Sequence, residues 1–382
     1  MYDAIVVGLG GMGSAALYEL AQRGLHVLGL EQFDIPHVFG SSHGNSRIIR
    51  LAYFESPTYV PLLKRSYERW RELERIAGEQ LLWQTGSIDV GPESSVVFLG
   101  SRAACEEHRL AHEVLDSLQL MRRFPGYRLE PGMVGIFQPD GGFLVPERCV
   151  VNYLELARQR GASVVTRERV IDWTASVGGA SVRTTGGEYS ARRLVITAGP
   201  WSRQLIPLLK DTAIPERQVV LWTDVGQNAA LFDVSNFPVF NLQTPEGDRY
   251  YGFPSHQGLG FKIGKYHHFH QHGDPEALDR TVDQADELIL RAAIERFFPL
   301  ANGPALESQT CLFTNTPDEH FVLARYPHTE GVAIAAGFSG HGFKFCSVVG
   351  EIMADLVLNG ETSHDLSLFA LDRPSLRLDS SM

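Results

Sequence analysis

The chain has 382 residues, 44% hydrophobic and 21% charged, which is enough for two domains or one large α/β body with a substantial core. Its formal net charge of −11 comes without a concentrated basic stripe and argues against nucleic acid as a partner, because phosphate neutralisation needs clustered Lys and Arg. Four scattered cysteines without CxxC spacing suggest neither a disulfide framework nor a zinc cluster. No stretch approaches the roughly 20 apolar residues of a membrane span, so a soluble cytoplasmic protein acting on small molecules is expected.

The first 31 residues read as strand, glycine turn, helix, strand and acidic residue. An apolar run from Ala4 to Val7 turns through Gly8, Gly10 and Gly13 into a helical stretch, and a second run, His26 to Leu30, ends at Glu31. The glycines permit a tight turn and a close approach of backbone to a pyrophosphate, and a helix N-terminus adds positive potential. Glu31 stands where a carboxylate accepts from ribose hydroxyls. This order points to a nucleotide site without separating NAD from FAD.

Beyond it, "VPLLKRSYERWRELERIAGEQLL" places Leu63, Tyr67, Trp70, Leu73 and Ile76 at helical spacing. Segments near 85–91, 133–138 and 217–225 read as strands, and 147–160 as a helix. Strands around 162–170 and 181–185 and the run "RRLVITAGPW" suggest a return to the nucleotide body. Strands around "YYGFPS" and "GFKIGKYHH" and a helical stretch at 281–297 look like a second body inserted into the first. The expected division is an FAD-binding domain of 1–84, 145–216 and 311–382, interleaved with a substrate domain of 85–144 and 217–310. Near the end, "GVAIAAGFSGHGFKF" is again a strand, about Val332 to Ala336, then a turn with Gly337, Gly340 and Gly342, and a helix from about Lys344 to Leu358. Two helix N-termini at opposite ends of the chain suit an extended cofactor such as a flavin dinucleotide.

Four motifs, "GSSHGNSRIIR", "YYGFP" followed by "GFKIGK", "CLFTNTPDEHF" and "GFSGHGFKF", resemble the monomeric sarcosine oxidase family in order and separation. That family includes N-methyltryptophan oxidase and peroxisomal sarcosine/pipecolate oxidase. The resemblance implies an α/β fold pairing an FAD domain of the glutathione-reductase type with a mixed-sheet substrate domain. It also implies a monomeric oxidase that turns a secondary or N-methyl amino acid into an imine and reduces O2 to hydrogen peroxide. By the same resemblance Cys311 is the flavin-attachment thiol and Lys262 the lysine of oxygen activation. Arg50 and Lys344 grip the substrate carboxylate, His43 and Arg47 lie beside the flavin, and Tyr251 lines the substrate cavity.

The chain departs from the pattern at three places. Ser42 replaces a histidine, Phe313 a tyrosine, and the family's active-site histidine corresponds either to Tyr266 by counting or to His267 by a one-residue slip. Histidines 267, 268, 270 and 272 have no acidic neighbour in sequence before Asp274, so a solvated strand end is expected and no metal. Cys346 and Lys265 are expected to be structural and solvent-facing or strand-facing, respectively. The terminal "DSSM" is not a peroxisomal address. Two other functions fit parts of the pattern: an amine dehydrogenase with a non-oxygen acceptor, against which Lys262 speaks, and a non-catalytic nucleotide-binding module, against which the whole constellation speaks.

Overall fold

A computed structural model describes residues 1–376. The last residues of the expected FAD-binding domain and the "DSSM" terminus lie outside the described residues. Two eight-stranded sheets and one three-stranded sheet organise the chain. In the first, Tyr2–Val7 lies parallel between Val27–Leu30 and Glu188–Ile196, with Ile5 opposite both Leu28 and Leu194. Val332–Ala336 extends it in parallel from the far edge of Glu188–Ile196. A parallel sheet is buried on both faces, which is why Ala4, Ile5 and Val6 are all fully buried and read as a continuous apolar run.

One face of that sheet is covered by the helices Gly11–Gln22, Pro146–Gln159 and Cys346–Asn359. Gly350 lets the first and last of these approach closely: a Cβ there would stand 2.7 Å from the Cβ of Ala15. Helix Val60–Ala77 buries Leu63, Trp70 and Leu73 as its spacing predicts, and ends at Gly78 in the left-handed conformation.

The second sheet runs in the order Ala305–Asn315, Ile214–Thr223, Phe261–Lys265, Arg249–Phe253, Val239–Gln243, Ser87–Pro92, Met133–Gln138, Glu113–Asp116. It is antiparallel except where Val239–Gln243 meets Ser87–Pro92. Phe232, Phe237, Phe240, Phe261 and Phe298 pack on it with helix Gln284–Phe297, whose N-terminus is capped by Asp283. The small sheet, Arg47–Ile49, Gly142–Leu144 and Leu82–Gln84, lies where the chain passes from one large sheet to the other.

Several boundaries differ from the sequence reading. The stretch 162–170 holds two strands, Ser163–Val165 and Val170–Ser176, because Arg167 turns the chain at φ +59°. The strand of "GFKIGKYHH" ends at Lys265, and the next four residues form a turn. The last helix opens with a 3-10 turn, Phe343–Phe345, ahead of its α-helical part. Helices Val96–His108 and Ser117–Arg123 were not expected. Ala305–Asn315 is continuous across the expected limit between residues 310 and 311, so Cys311 belongs to a strand of the second sheet.

Candidate functional site

The first glycine turn is fixed by close packing. Gly8 has φ +83°, and a Cβ on Gly13 would lie 1.8 Å from the Gly8 carbonyl oxygen. Gly10 caps helix Gly11–Gln22 without side-chain help, leaving the helix start directed at an elongated cleft. Glu31 is buried at that cleft, and its carboxylate accepts from the amides of Leu9 at 2.8 Å and Phe33 at 3.1 Å. Burial pushes its carboxyl upward, and the backbone amides oppose that shift.

The same cleft is lined by Cys311 to Thr314 and by the second glycine turn, including Gly340 and Gly342. Gly340 has φ +78°, and a Cβ there would lie 2.3 Å from the Phe313 ring. The two glycine turns, 330 residues apart in sequence, therefore line one cavity. One buried polar atom of the cleft wall, Nε1 of Trp201, has no hydrogen-bond partner among the described residues. A cavity lined by a helix N-terminus, a carboxylate, a thiol and an orphaned donor fits a flavin dinucleotide.

A smaller cavity adjoins the cleft and shares Arg47, Phe313, Gly340 and Phe343 with it. Arg50, Tyr251, Tyr266 and Lys344 face this second space. Arg50 is 1% exposed, lies 4.5 Å from the ring centres of both Tyr53 and Phe54, and gives two hydrogen bonds to Glu55, at 2.8 and 2.9 Å. Asp89 lies 3.8 Å from its other terminal nitrogen. Burial raises Glu55, but Arg50 together with His341 and Lys344 outweighs it and holds the carboxyl below its ordinary value. Lys344 donates to the carbonyl of His341 at 2.7 Å, and burial followed by Arg50 pushes its ammonium down to about 7.

Lys262 and His43 do not line either cavity. Lys262 stands behind the turn formed by residues 41–46, and His43 belongs to that turn. The Lys262 Nζ donates to Gly44 O at 2.6 Å and Ser46 O at 3.0 Å, with Ser46 Oγ at 3.2 Å, and lies over the rings of Phe253 and Trp222. Burial drives its pKa well down, with Arg47 in the same direction. Three acceptors around one nitrogen nevertheless match an ammonium, since a neutral amine donates only two hydrogens. His43 is pushed down to about 3 by burial and then by Arg47, so it is neutral. Arg47 itself donates to the carbonyls of Ser46 and Ser41, bracing this turn.

Tyr266 and His267 point in different directions. Tyr266 faces the smaller cavity, and its hydroxyl donates to Asn241 Oδ1 at 3.3 Å. His267 points elsewhere, bridging Glu216 and Glu319 at 2.8 and 2.9 Å. His268 turns inward to Asp286 at 2.9 Å. Lys265 pairs with Asp248 at 2.9 Å. Cys346 reaches the cleft wall, and burial pushes its thiol well up, which keeps it unreactive. Glu55, Asp89 and Asn241 escaped the sequence reading because their partners are set by tertiary pairing, and only Glu55 lies near Arg50 in sequence.

Comparison with known proteins agrees with this geometry. The family described as FAD dependent oxidoreductase matches residues 3–356. The chain is 42% identical over 381 residues to monomeric sarcosine oxidase of Bacillus sp. (strain B-0618), covering 98% of this chain and 97% of that one. It is 36% identical over 384 residues to human peroxisomal sarcosine oxidase, covering 98% and 97%. Its fold matches the open form of NikD, an unusual amino acid oxidase essential for nikkomycin biosynthesis, with TM-score 0.83, 25% identity and 97% of each chain covered.

Proposed function

The chain belongs to the FAD dependent oxidoreductase family, and on that premise we propose that it oxidises a secondary or N-methyl amino acid to the imine, with O2 as acceptor and FAD bonded covalently through Cys311. The observation that carries this reading is the adjacency of two cavities. A cleft with Cys311 in its wall adjoins, at Phe313 and Gly340, a pocket lined by three cations and two phenols. When bound, FAD supplies the hydride acceptor and returns the electrons to oxygen.

The protein's own residues then divide the remaining tasks. Gly8, Gly10, Gly13 and Glu31 hold the dinucleotide end, and Gly340 and Gly342 leave the backbone of the second turn open to the other end. The Lys344 ammonium has donors to spare beyond its bond to His341, and it meets the substrate carboxylate first. Arg50 joins when that carboxylate displaces Glu55, a like-charged occupant of the same fork. Tyr251 and Tyr266 wall the amine side. Arg47, Arg50 and Lys344 together disfavour a substrate ammonium and lower its pKa, so the amine loses its proton to solvent before the C–H bond is broken. Lys262 keeps a fixed positive charge behind the turn at Gly44, where charge developing on reduced oxygen is stabilised. We further propose the interleaved two-domain division, with the catalytic pocket between the bodies, and action as a monomer on small molecules in the cytoplasm. Among the described residues no helix is long and apolar enough to cross a membrane.

A panel of sarcosine, larger N-methyl amino acids, cyclic imino acids and N-methyl amines without a carboxylate, read by peroxide release, tests the assignment. Peroxide from the carboxylate-bearing secondary amines is the expected result. Reduction of an artificial dye by the same substrates without peroxide would replace the oxidase with a dehydrogenase.

A further inference from the structure

The histidine-rich turn after Lys265 meets a buried carboxylate that no local sequence pattern places there. Glu216 lies on strand Ile214–Thr223 and is fully buried, and an isolated bridge sets His272 directly opposite it. Its Oε2 accepts from His267 Nδ1 and from the Asn315 side chain, while its Oε1 has no hydrogen-bond partner among the described residues. Around that orphaned oxygen stand His270 Nδ1 at 3.8 Å and His272 Nε2 at 3.6 Å. Ligand atoms of Glu216, His267 and His270 all lie within 4.8 Å of one another.

We propose that Glu216, His267, His270 and His272 form a binding site for one divalent transition-metal ion of the zinc class, outside the oxidase pocket. Imidazole nitrogens with a single carboxylate suit zinc and its neighbours, whereas magnesium and calcium require oxygen-rich shells. Zinc bonds of about 2.0–2.2 Å place tetrahedral ligand atoms roughly 3.3–3.6 Å apart. Reaching that spacing requires His270 and His272 to rotate, which their 72% and 46% exposed side chains permit, His272 joining the three-residue group from 3.6 Å off Oε1.

The surroundings are those of a metal ligand set. His267 keeps its Nε2 hydrogen on Glu319, so Nδ1 is the atom turned toward the ion, and a carboxylate behind a ligating imidazole fixes the ring and increases its basicity. The Asn315 amide orients the Glu216 carboxylate in the same way. When the ion binds, the hydrogen that His267 Nδ1 shares with Glu216 leaves to solvent, and the metal takes its place between the two. Held by both carboxylate oxygens, the ion also gives the buried Oε1 the partner it lacks. The ion ties strand Ile214–Thr223 to the turn that follows Tyr266, whose ring walls the substrate pocket.

The test uses untagged full-length enzyme with its cofactor, titrated calorimetrically with zinc chloride and separately with magnesium chloride. One zinc per chain, no magnesium binding, and an affinity lowered at least tenfold in His270→Ala/His272→Ala are expected. Both substituted side chains are solvent-exposed, and unchanged circular dichroism confirms that variant's fold. Glu319→Gln should weaken zinc binding tenfold or more without removing a ligand. Absence of stoichiometric zinc binding by the natural chain overturns the proposal, as does a loss smaller than tenfold in the double histidine variant.

Discussion

Replacing Lys344 by Met removes one charge from the substrate pocket while keeping length and apolar bulk. In the structure its Nζ makes a single hydrogen bond to protein, to His341 O at 2.7 Å, and lies 5.1 Å from the centre of the Tyr53 ring. The other donors are therefore available to a carboxylate, whereas Arg50 is engaged by Glu55. Losing a charge-assisted hydrogen bond in a desolvated site costs on the order of 1.5–3 kcal/mol, roughly a 10- to 150-fold loss of affinity. The pH dependence carries a sign. Burial, then Arg50, lowers the Lys344 pKa to about 7. The carboxylate-binding ammonium is thus fully present below that pH and is lost above it. The affinity of an amine-free carboxylate such as acetate should be flat on the acid side and fall about tenfold per pH unit above the break, until the pKa of the complex is reached. Titration of the cofactor's visible absorbance with acetate from about pH 6 to 9 measures both effects. In Lys344→Met the break should vanish along with the affinity. A break that persists in the Met variant would assign the titration to another group, and an equal loss for carboxylate-free secondary amines would remove Lys344 from carboxylate recognition.

Cys311→Ala should give a folded protein whose acid-precipitated pellet is colourless; a pellet that stays yellow would put the covalent link elsewhere. Lys262→Met should slow the oxygen-consuming step by orders of magnitude, each ~1.4 kcal/mol being about tenfold, while substrate oxidation without oxygen, followed by stopped flow, slows much less. The same substitution orphans the carbonyls of Gly44 and Ser46, so a stability loss of about 1–3 kcal/mol should accompany it in urea unfolding. Gly13→Ala forces a Cβ to within 1.8 Å of Gly8 O and should cost about 1–3 kcal/mol or more and release the cofactor, seen as a lower Tm and a colourless eluate.

The nucleotide end was legible because its parts are consecutive. Gly8, Gly10, Gly13 and Glu31 lie within one strand–helix–strand unit, and local order alone sets their geometry. The family resemblance points to Arg50 and Lys344, and the fold sets both in one pocket. What held Arg50 was not legible. Asp89 reaches it from the second sheet, and Glu55 is the fifth residue on along an irregular segment, where no periodicity predicts a contact. Glu216 was invisible beside the histidines for the same reason: it is 51 residues from His267 in sequence and comes close only because of how the strands of the second sheet are ordered.

The choice between Tyr266 and His267 was within reach of elementary strand geometry. Side chains alternate along the strand Phe261–Lys265, so positions 262 and 264 share one face and 263 and 265 the other, and Tyr266, whose amide still donates to Arg249 O at 2.9 Å, continues the first. With Lys262 facing the turn behind the flavin cleft, residue 266 continues on that side, and His267, at φ +53°, already lies in the turn beyond the strand. Gly264 supports this count, because a Cβ there would lie 2.6 Å from the Tyr251 hydroxyl, on the face that borders the pocket. Only glycine leaves room for that phenol between Lys262 and Tyr266. A one-residue slip would have sent Ile263, fully buried in the phenylalanine core, to the polar side and brought Lys262 into that core. Burying an apolar side chain the size of Ile is worth about 1.5–3 kcal/mol, and an unpaired buried cation costs more than that, so register, and with it Tyr266, is decided by the core behind the strand and not by the pocket in front of it.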